Sequence, residues 1–386
     1  MRICVVYDCL FPWTVGGAER WYRNLAERLA ADGHEVTYLT LTQWDAGDAP
    51  DLPGVEVIAV GPRMDLYVGD RRKIGPPLRF GLGVFAHLLR RGRRYDVVHT
   101  ASFPYFSLLA AAVTRPLGRF RISCDWHEVW SRDYWLEYLG GVGGRVGWTV
   151  QRICAWVPQT AYAFSRLHAG RLRDLGLRGD VTVLTGEYAG SLAPPPADPA
   201  TTPPTVVYAG RMIPEKRVPL VVDAVAAARE RVPDLRARIF GAGPEADAVR
   251  ERIAELGLQD VVELPGFVAA DVVDEAMRTA TCVVQPSSRE GYGMVVVEAA
   301  AHGAPAIVVA GDDNAAVELV DEGVNGFVAP TATGAALADA IVACHEQGDA
   351  LRASTRTWFT DNGERLSLDG SLRTVAAGYA APSARS

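Results

Sequence analysis

The sequence has 386 residues, of which 49% are hydrophobic and 22% are charged, and its formal net charge is −7. At roughly 150 residues per domain this length indicates two or three domains, with enough buried surface to fold without disulfides or a structural metal. The acidic balance argues against a protein whose main partner is nucleic acid.

The first half opens with alternating strand and helix patterns. Residues 3–7 form a short apolar run that predicts a buried strand. Residues 17–31 carry a helical pattern closed by Gly33, and residues 36–41 predict the next strand. Apolar strands that alternate with amphipathic helices are typical of a parallel sheet covered on both faces.

The second half repeats this opening after a stretch rich in proline, alanine and threonine. That stretch, residues 188–204, is interpreted as a linker. Residues 205–209 predict a strand, 219–231 a helix and 235–240 another strand. The last six residues, 381–386, are expected to fray.

These patterns predict an α/β protein of two doubly wound, Rossmann-like domains that face each other across a cleft. The first spans residues 1–187 and the second residues 205–350. Residues 1–195 hold 23 basic and 19 acidic side chains, net +4, and the remainder holds 16 and 27, net −11. Since ligands of such folds bind at the carboxyl ends of strands, candidate site residues are those that follow strands.

The strongest chemical signal is a glycine-rich turn that leads from a strand into a helix, SREGYGMVVVEA over residues 288–299. Gly291 and Gly293 let the backbone approach a ligand, and the free N–H groups of the helix favour an anion. Glu290 lies before the helix, where it can accept hydrogen bonds from sugar hydroxyls, and Glu298, about two turns in, can reach a ribose. The alternative is one glutamate that stabilises the helix N-terminus and one surface glutamate.

A second signal places two cations after a strand, in the segment YAGRMIPEKR over residues 208–217. Arg211 and Lys216 converge there on a predicted helix start, which suits a diphosphate that must be neutralised as it leaves. Lys216 and Lys73 are the only lysines among 39 basic residues, so a compact ammonium at this position is notable. The alternative is a solvated basic turn paired with Glu215.

Two weaker signals lie in the first half. Gly16 and Gly17 open the first predicted helix like a phosphate-approach loop, but the GxGxxG fingerprint is missing, so a dinucleotide cofactor is disfavoured. A simple turn explains this pair as well. His127 ends a predicted strand, where it would face the cleft.

Aromatic residues surround that histidine in the sequence. They are Trp126, Trp130, Tyr134, Trp135 and Tyr138. Sugars often stack on such rings, and Arg132 among them could pair with a phosphate or a carboxylate. Residues Trp126, His127, Trp130, Arg132 and Tyr134 are therefore predicted to bind the acceptor, whereas ordinary amphipathic packing is the alternative.

The sequence lacks the motifs of several other enzyme classes. It lacks GxxxxGK[ST], HExxH and GxSxG. It also lacks two aspartates at D-x-D spacing, the arrangement that would hold a metal on a nucleotide sugar, so we expect a reaction without metal or cofactor.

The isolated cysteines and the lack of any recognisable targeting segment favour a cytoplasmic protein. The six cysteines form no CxxC pair and are expected to be small core residues in a reducing compartment. The N-terminus shows no signal-peptide pattern, and no run of about 18 apolar residues predicts a transmembrane helix. Peripheral membrane contact and the oligomeric state stay open.

Together the motifs resemble the family 4, or group 1, glycosyltransferases with the retaining GT-B fold, over nearly the whole chain. The matching stretches are VGGAE (15–19), GHEV (33–36), YAGR (208–211) with EK (215–216), FGAGP (240–244), LPGF (264–267), Glu290 to Glu298 with GAP (303–305), and ELVDEGVNG (318–326).

The resemblance implies transfer of a sugar from a UDP- or GDP-type donor with retention at the anomeric carbon. Arg211 and Lys216 would hold the diphosphate, Glu290 the donor-sugar hydroxyls and Glu298 the ribose, while His127 would contact the sugar. Glu290, His127, Arg211 and Lys216 are thus the candidate catalytic residues. The remaining donor-binding candidates are Gly16, Gly17, Gly241, Phe267, Gly291, Tyr292, Gly293, Met294 and Val295.

The resemblance further implies that a helical segment, 351–380, crosses back to the first domain. The acceptor is left open as a small molecule, a glycan or a lipid-linked molecule. Two other functions stay open: a GT-B sugar-nucleotide epimerase, which would turn over the donor without an acceptor, and a non-catalytic sugar-nucleotide sensor.

Overall fold

The computed structural model describes residues 1–14, 16–45, 47–68, 71–193, 199–200 and 202–380. The predicted fraying of residues 381–386 lies outside the described residues, as do residues 194–198 and 201 of the predicted linker. The chain divides into two compact units. One comprises Met1–Thr185 with Ser371–Ser386, and the other comprises Gly186–Gly370.

The first unit is built on a sheet of seven parallel strands. The strands of this unit are β1 (Arg2–Val6), β2 (Glu35–Leu41), β3 (Val55–Gly61), the short β4 (Tyr67–Val68) and β5 (Arg71–Arg72), β6 (Val97–Ala101), β7 (Arg121–Trp126), β8 (Thr160–Ala163) and β9 (Val181–Val183). The spatial order is β3-β2-β1-β6-β7-β8-β9. The strand order therefore reverses between β1 and β6.

The second unit is built on a sheet of six parallel strands. Its strands are β10 (Thr205–Ala209), β11 (Arg236–Phe240), β12 (Val262–Gly266), β13 (Cys282–Gln285), the short β14 (Arg289–Glu290), β15 (Ala306–Val309), the short β16 (Asp313–Asn314) and β17 (Gly326–Ala329). The order is β12-β11-β10-β13-β15-β17, so the reversal lies between β10 and β13. Strands β14 and β16 pair separately.

Helices cover both sheets. In chain order they are α1 (Gly17–Ala31), α2 (Gly75–Arg91), α3 (Phe106–Gly118), α4 (Arg132–Trp156), α5 (Arg166–Asp174), α6 (Pro219–Ala228), α7 (Ala246–Glu255), α8 (Ala270–Thr279), α9 (Met294–Ala301), α10 (Gly334–Leu366) and α11 (Leu368–Ala380). Helices α4 and α10 are interrupted by non-helical backbone at Gly140 and Gly348. None of the helices in the described ranges is both long and apolar enough to cross a membrane.

One face of the first sheet is covered by α2, α3, α4 and α5. Their buried residues belong to one apolar cluster with side chains of β1, β2, β6, β7 and β8. Helix α11 belongs to the same unit from Ser371 onwards, and the Tyr162 hydroxyl donates to its Val375 carbonyl at 3.4 Å. The C-terminal helix is thereby held against the first sheet.

The predicted elements agree closely with the structure. The helix expected over 17–31 and the strand expected over 205–209 have those bounds. The helix expected over 219–231 ends earlier, at Ala228. All six cysteines are unpaired and buried, which confirms that they are core residues.

Candidate functional site

The carboxyl edge of the second sheet gathers the strongest sequence signals. The loop after β10 carries Arg211 and Lys216, and the segment after β13 carries Glu290 in the short β14. Strands β10 and β13 are the neighbours between which the strand order reverses. Because the loops diverge at such a switch point, it leaves a crevice in which doubly wound sheets bind ligands.

Lys216 and Glu290 meet at this edge. The Nζ atom of Lys216 lies 2.5 Å from Oε1 of Glu290, and the two side chains are 19% and 15% exposed. The Ser287 hydroxyl donates to the same carboxylate oxygen at 2.7 Å. The pair is therefore held in a fixed geometry but stays within reach of a ligand.

The backbones of the two loops are joined directly. The Ser288 amide and hydroxyl both donate to the Glu215 carbonyl, at 2.8 Å and 3.1 Å. Lys216 lies in a 3-10 turn, Pro214–Lys216, and α6 begins three residues later, so the expected placement of Lys216 at the start of that helix is wrong. The join between the loops fixes the separation of the lysine and the glutamate.

Arg211 supplies a second cation at the same edge. Its carbonyl accepts a hydrogen bond from the Tyr208 hydroxyl at 2.9 Å, which fixes the backbone. The side chain is exposed, and its guanidinium has no ion-pair partner among the residues that the structure describes. Arg211 is thus available to an anionic ligand.

Gly241 explains how two neighbouring loops approach each other. It has a φ of +129°, and a Cβ atom there would lie 1.9 Å from the Gly210 carbonyl oxygen. A residue with a side chain would therefore collide with the loop that carries Arg211. The Met212 amide donates to the Ala242 carbonyl at 2.9 Å, so the two loops form one surface.

The glycine-rich turn leads into α9 as the sequence predicts, but the helix begins only at Met294. Gly293 has a φ of +109°, outside the helical region, and a Cβ atom there would lie 2.7 Å from the Cβ of Ala316. Glu298 is consequently about one turn into the helix rather than two. Met294, Val295 and Gly291 are partly exposed, whereas the Tyr292 ring is buried, so position 292 offers a ligand its backbone rather than its ring.

Phe267 stands at the carboxyl end of β12. Its side chain is 82% exposed, the largest exposure of any large apolar residue in the described ranges. An exposed aromatic ring at the ligand edge of a parallel sheet offers a flat surface for stacking.

In the first unit His127 directly follows β7. Its ring stacks on Phe164, with centroids 4.2 Å apart, and meets the edge of Tyr22 at 5.9 Å. Burial lowers the pKa of His127 to about 4, although the Asp125 and Glu128 carboxylates oppose this shift. At neutral pH the imidazole is uncharged, so it can exchange hydrogen bonds but cannot neutralise a phosphate.

The expectation that Trp126 stacks on an acceptor is wrong. The Trp126 ring is fully buried in the core of the first unit, and its Nε1 donates to the Gln159 side chain at 2.9 Å. Residues in a strand covered on both faces point into one core or the other, so a ring on such a strand has no free face.

Of the other predicted acceptor residues, Trp130 and Tyr134 are only partly accessible. Trp130 packs against Tyr134, Trp135 and Tyr138, with centroids 4.8, 4.6 and 5.1 Å away. Its Nε1 donates to Glu128 at 2.7 Å. Arg132 is exposed, with its guanidinium carbon 5.7 Å from the Trp148 ring centroid. These rings mostly pack against one another.

Gly16 directly precedes α1 and Gly17 begins it, as predicted. A Cβ atom at Gly16 would lie 2.3 Å from Oε2 of Glu19, whereas Gly17 is exposed with open space around it. Glu19 is nearly buried in the first turn of the helix, so a carboxylate already lies beside the first of the two glycines.

Two aromatic residues at the carboxyl edge of the first sheet were not predicted from the sequence. Trp13 follows β1 and Trp44 follows β2, and their rings meet edge-on at 6.0 Å. Gln43 joins the two loops by accepting from the Thr14 hydroxyl at 2.6 Å and the Leu10 amide at 3.1 Å. Both residues follow predicted strands, where ligand-binding residues of such folds lie, and this was the signal in the sequence that could have identified them.

A buried polar chain underlies the end of β7. His99 Nε2 lies 2.8 Å from Asp125 Oδ2, and the Trp21 indole donates to the same oxygen at 2.7 Å. His99 Nδ1 is hydrogen bonded to the Tyr379 hydroxyl of α11. Burial alone would raise the pKa of Asp125, but His99, His127 and the hydrogen bond from Trp21 together outweigh burial and lower it. These buried polar contacts hold β7 in place at Asp125, two residues before His127.

Two family models together match most of the chain. The model described as "Glycosyltransferase Family 4" matches residues 15–185, and the model described as "Glycosyl transferases group 1" matches residues 194–358. The break between the two matches lies close to the boundary between the two structural units.

Curated relatives match over part of their length. An alpha-D-kanosaminyltransferase of Streptomyces kanamyceticus is 32% identical over 138 residues, which are 36% of this chain and 35% of that protein. A GDP-mannose-dependent alpha-(1-6)-phosphatidylinositol monomannoside mannosyltransferase of Mycobacterium tuberculosis is 30% identical over 167 residues, 41% of this chain and 43% of that protein. The matched region is thus less than half of either relative.

Solved structures match over nearly the whole chain. Sucrose-phosphate synthase from Thermosynechococcus elongatus aligns with a TM-score of 0.76 and 21% identity, covering 98% of both chains. HepE of Anabaena in complex with UDP aligns with a TM-score of 0.74 and 20% identity, covering 98% of this chain and 100% of that one. At these identities the likeness shows the fold, and it confirms the predicted α/β class of GT-B type.

Proposed function

We propose that this chain, which belongs to the group 1 glycosyltransferases, transfers a sugar from a nucleoside diphosphate donor to an acceptor hydroxyl with retention at the anomeric carbon. The observation that carries the proposal is the ion pair of Lys216 and Glu290 at the switch point of the second sheet. It places a cation suited to a phosphate directly beside a carboxylate suited to sugar hydroxyls.

The diphosphate is the leaving group, and its negative charge grows as the anomeric C–O bond breaks. Lys216 and the exposed Arg211 would neutralise that charge. The amides at the start of α9, after Gly293, add the positive end of a helix. With this much fixed positive charge, the reaction is expected to run without a metal ion.

The carboxylates would bind the neutral parts of the donor. Glu290, held by Lys216 and Ser287, would accept hydrogen bonds from donor-sugar hydroxyls. Glu298, one turn into α9, would bind the ribose, and Phe267 would offer its exposed ring to the donor. His127 would contact the sugar as a neutral imidazole.

The transfer itself needs no protein nucleophile in this scheme. The bond from the anomeric carbon to the diphosphate oxygen breaks, and the acceptor oxygen forms its bond on the same face of the sugar. The proton of the acceptor hydroxyl passes to the departing phosphate oxygen, so charge and atoms balance.

The donor nucleotide is proposed to be UDP or GDP. The solved HepE structure contains UDP, and the mycobacterial relative is named as GDP-mannose-dependent. A thermal-shift panel of UDP, GDP, ADP and their sugars tests this. A ligand at a hundred times its Kd stabilises the folded state by about 2.7 kcal/mol, a readily measured shift.

The acceptor is proposed to bind the first unit. Residues 1–195, which contain Met1–Thr185 of that unit, have a net charge of +4. Since Trp126 is buried, the partly exposed pair of Trp13 and Trp44 is the better stacking surface. A chimera that exchanges residues 1–187 with those of a relative using another acceptor tests this assignment. If acceptor choice stays with the second half, the assignment is wrong.

Turnover measurements separate the proposed transfer from the two other functions. Release of the nucleoside diphosphate that depends on an acceptor supports transfer. Conversion of the donor sugar without an acceptor indicates an epimerase, and binding with no turnover against a broad acceptor panel indicates a sensor. Either of these results contradicts the proposal.

A further inference from the structure

The exposed apolar side chains of the described residues are concentrated on one helical layer. Ten of the sixteen large ones lie on α2, α3 and α4 of the first unit: Leu78, Leu82, Leu89, Val113, Leu117, Leu139, Val142, Val146, Ile153 and Trp156. The helices of the second unit contribute only Val272 within the described ranges. Exposed apolar patches of this extent mark surfaces that meet a partner or a membrane. We call this set the outer helical face.

The three helices form a continuous layer. A Cβ atom on Gly81 of α2 would lie 2.4 Å from Phe106 of α3, and one on Gly92 would lie 3.3 Å from Gly118. Gly81 and Gly92 are eleven residues apart, and Phe106 and Gly118 are twelve apart, so α2 and α3 run parallel and side by side. Their inner sides belong to the same core cluster as α4, so all three outer sides point away from the same face of the sheet.

Helix α4 is joined to the same layer. Cys154 lies 3.8 Å from the Tyr105 carbonyl at the start of α3, and Arg115 of α3 donates to the Pro158 carbonyl just after α4 at 3.1 Å. The outer helical face therefore extends across α2, α3 and α4.

The charge on most of this layer is basic. Helices α2 and α3 contain no acidic residue, and the two acidic residues of α4, Asp133 and Glu137, both precede Gly140. Residues 73–121 hold nine basic side chains and one acidic one, Asp96, whose carboxylate pairs with Arg2 at 2.7 Å. The protein as a whole has the opposite sign, −7. A surface that is both basic and apolar complements a partner that has anionic groups at its surface and an apolar layer below them.

The basic side chains of this face lie beside its apolar side chains. Arg152 of α4 stacks on Trp148 and Trp156, at 5.5 Å and 4.8 Å from the ring centroids. Arg90 and Arg91 are exposed at the C-terminal end of α2. Arginine stems and tryptophan rings favour the boundary between lipid headgroups and acyl chains, where the head of each stays polar.

We infer that the outer helical face docks the protein on an anionic lipid bilayer, with α2, α3 and α4 lying on the headgroup region. Leu82, Val113 and Val142 are 62%, 66% and 78% exposed, so they reach the acyl boundary without unfolding the helices. The arginines then meet the anionic headgroups. None of the residues assigned to the donor lies on α2, α3 or α4.

Vesicle cosedimentation of the full chain tests the inference. The protein is expected to bind vesicles of phosphatidylcholine with phosphatidylglycerol, to bind pure phosphatidylcholine at least about tenfold more weakly, and to be released by salt. The variant Leu82→Asp/Val113→Asp should lose at least about tenfold in binding. The matched variant Val272→Asp, on α8 of the second unit, should bind like the wild type.

The charge contribution has its own variant. Arg90→Ser/Arg91→Ser should weaken binding to the anionic vesicles by about fivefold per arginine. Arg231→Ser/Arg250→Ser removes two exposed arginines of the second unit and should leave binding unchanged. Nucleotide binding by every variant serves as the check that the chain is folded.

Three results would overturn the inference. The first is that the wild type fails to bind anionic vesicles. The second is that the aspartate variant binds them as well as the wild type does. In the third, the wild type is a dimer by light scattering, the aspartate variant is a monomer, and neither binds vesicles, which assigns the face to a second copy of the chain.

Discussion

Lys216 and Glu290, 74 positions apart in the sequence, form an ion pair of 2.5 Å at the carboxyl edge of the second sheet. The pair joins the loops that follow β10 and β13, the two strands between which the strand order reverses. In the absence of a donor, each partner neutralises the other, so a bound diphosphate must share the lysine with the glutamate.

The first prediction concerns this sharing. Glu290→Gln keeps the size of the side chain but removes its charge and turns one of its two acceptor oxygens into an NH₂ donor, which frees Lys216 for phosphate. We expect free nucleoside diphosphate to bind at least as tightly as it binds the wild type, while turnover falls roughly tenfold to a few hundredfold. Calorimetry and steady-state kinetics measure the two effects.

The control for this variant is Glu263→Gln, which removes an exposed glutamate paired with Arg238 at 3.1 Å in the same unit. It should leave both readouts unchanged. Wild-type turnover by a folded Glu290→Gln enzyme would remove Glu290 from the catalytic residues.

The second prediction concerns the interlocked loops. Gly241→Ala places a methyl group 1.9 Å from the Gly210 carbonyl oxygen and strains a residue with a φ of +129°. We expect a loss of at least about 2 kcal/mol in unfolding free energy and weaker nucleotide binding, because the loop that carries Arg211 must move. Chemical denaturation and calorimetry provide the measurements.

Gly311→Ala is the matched control, since the nearest atom to its added methyl group would be 3.8 Å away. It should fold and bind nucleotide like the wild type. A Gly241→Ala protein as stable as this control would show that the close approach of the two loops is dispensable.

The sequence anticipated much of this edge, for a physical reason. Glycines, prolines and charged residues that follow apolar strands are local signals, and they located Glu290 and Lys216 without any knowledge of the fold. The start of α9 was less certain because glycine is compatible with both helix and turn, and only the φ of Gly293 decides between them.

Contacts between distant segments were beyond local signals. Trp13 and Trp44 meet only because β1 and β2 are neighbours in the sheet. Trp126 looked accessible because a strand covered on both faces shows no alternation that separates an inner side from an outer one. The hydrogen bond between His99 and Tyr379 joins residues 280 positions apart, and no spacing in the sequence predicts it.

The third prediction follows from the lowered pKa of His127. Its pKa is about 4 in the folded protein, against 6.5 as the usual value. The unfolded chain therefore binds more protons between these values, so the stability from the neutral imidazole is present above pH 6.5 and is lost as pH falls towards 4. We expect the first unit of the wild type to lose up to about 2 kcal/mol between pH 7 and pH 5 through this group.

The measurement is denaturation followed by tryptophan fluorescence, since eight of the nine tryptophans lie in the first unit and only Trp358 lies in the second. His127→Gln should show a correspondingly shallower pH dependence. His345→Gln, at an exposed position of α10, should keep the wild-type dependence. Identical pH profiles for the wild type and His127→Gln would contradict the assignment.

The fourth prediction concerns the chemistry of transfer. Because Lys216 and Arg211 supply positive charge for the leaving diphosphate, activity is expected to survive a chelator. The product is expected to keep the anomeric configuration of the donor. Proton NMR of the new linkage decides the second point. Loss of activity with EDTA that added metal restores, or an inverted linkage, would rule out the corresponding half of the prediction.

The central claim, that Lys216 binds the diphosphate of the donor, is tested most directly by calorimetry with a pair of ligands that differ only in that group. The nucleoside diphosphate and its parent nucleoside are titrated into the wild type, Lys216→Ala and the control Arg231→Ala. The account predicts that Lys216→Ala weakens the diphosphate about tenfold or more, leaves the nucleoside nearly unchanged, and that Arg231→Ala affects neither. Equal losses for both ligands, or no loss for either, would contradict it.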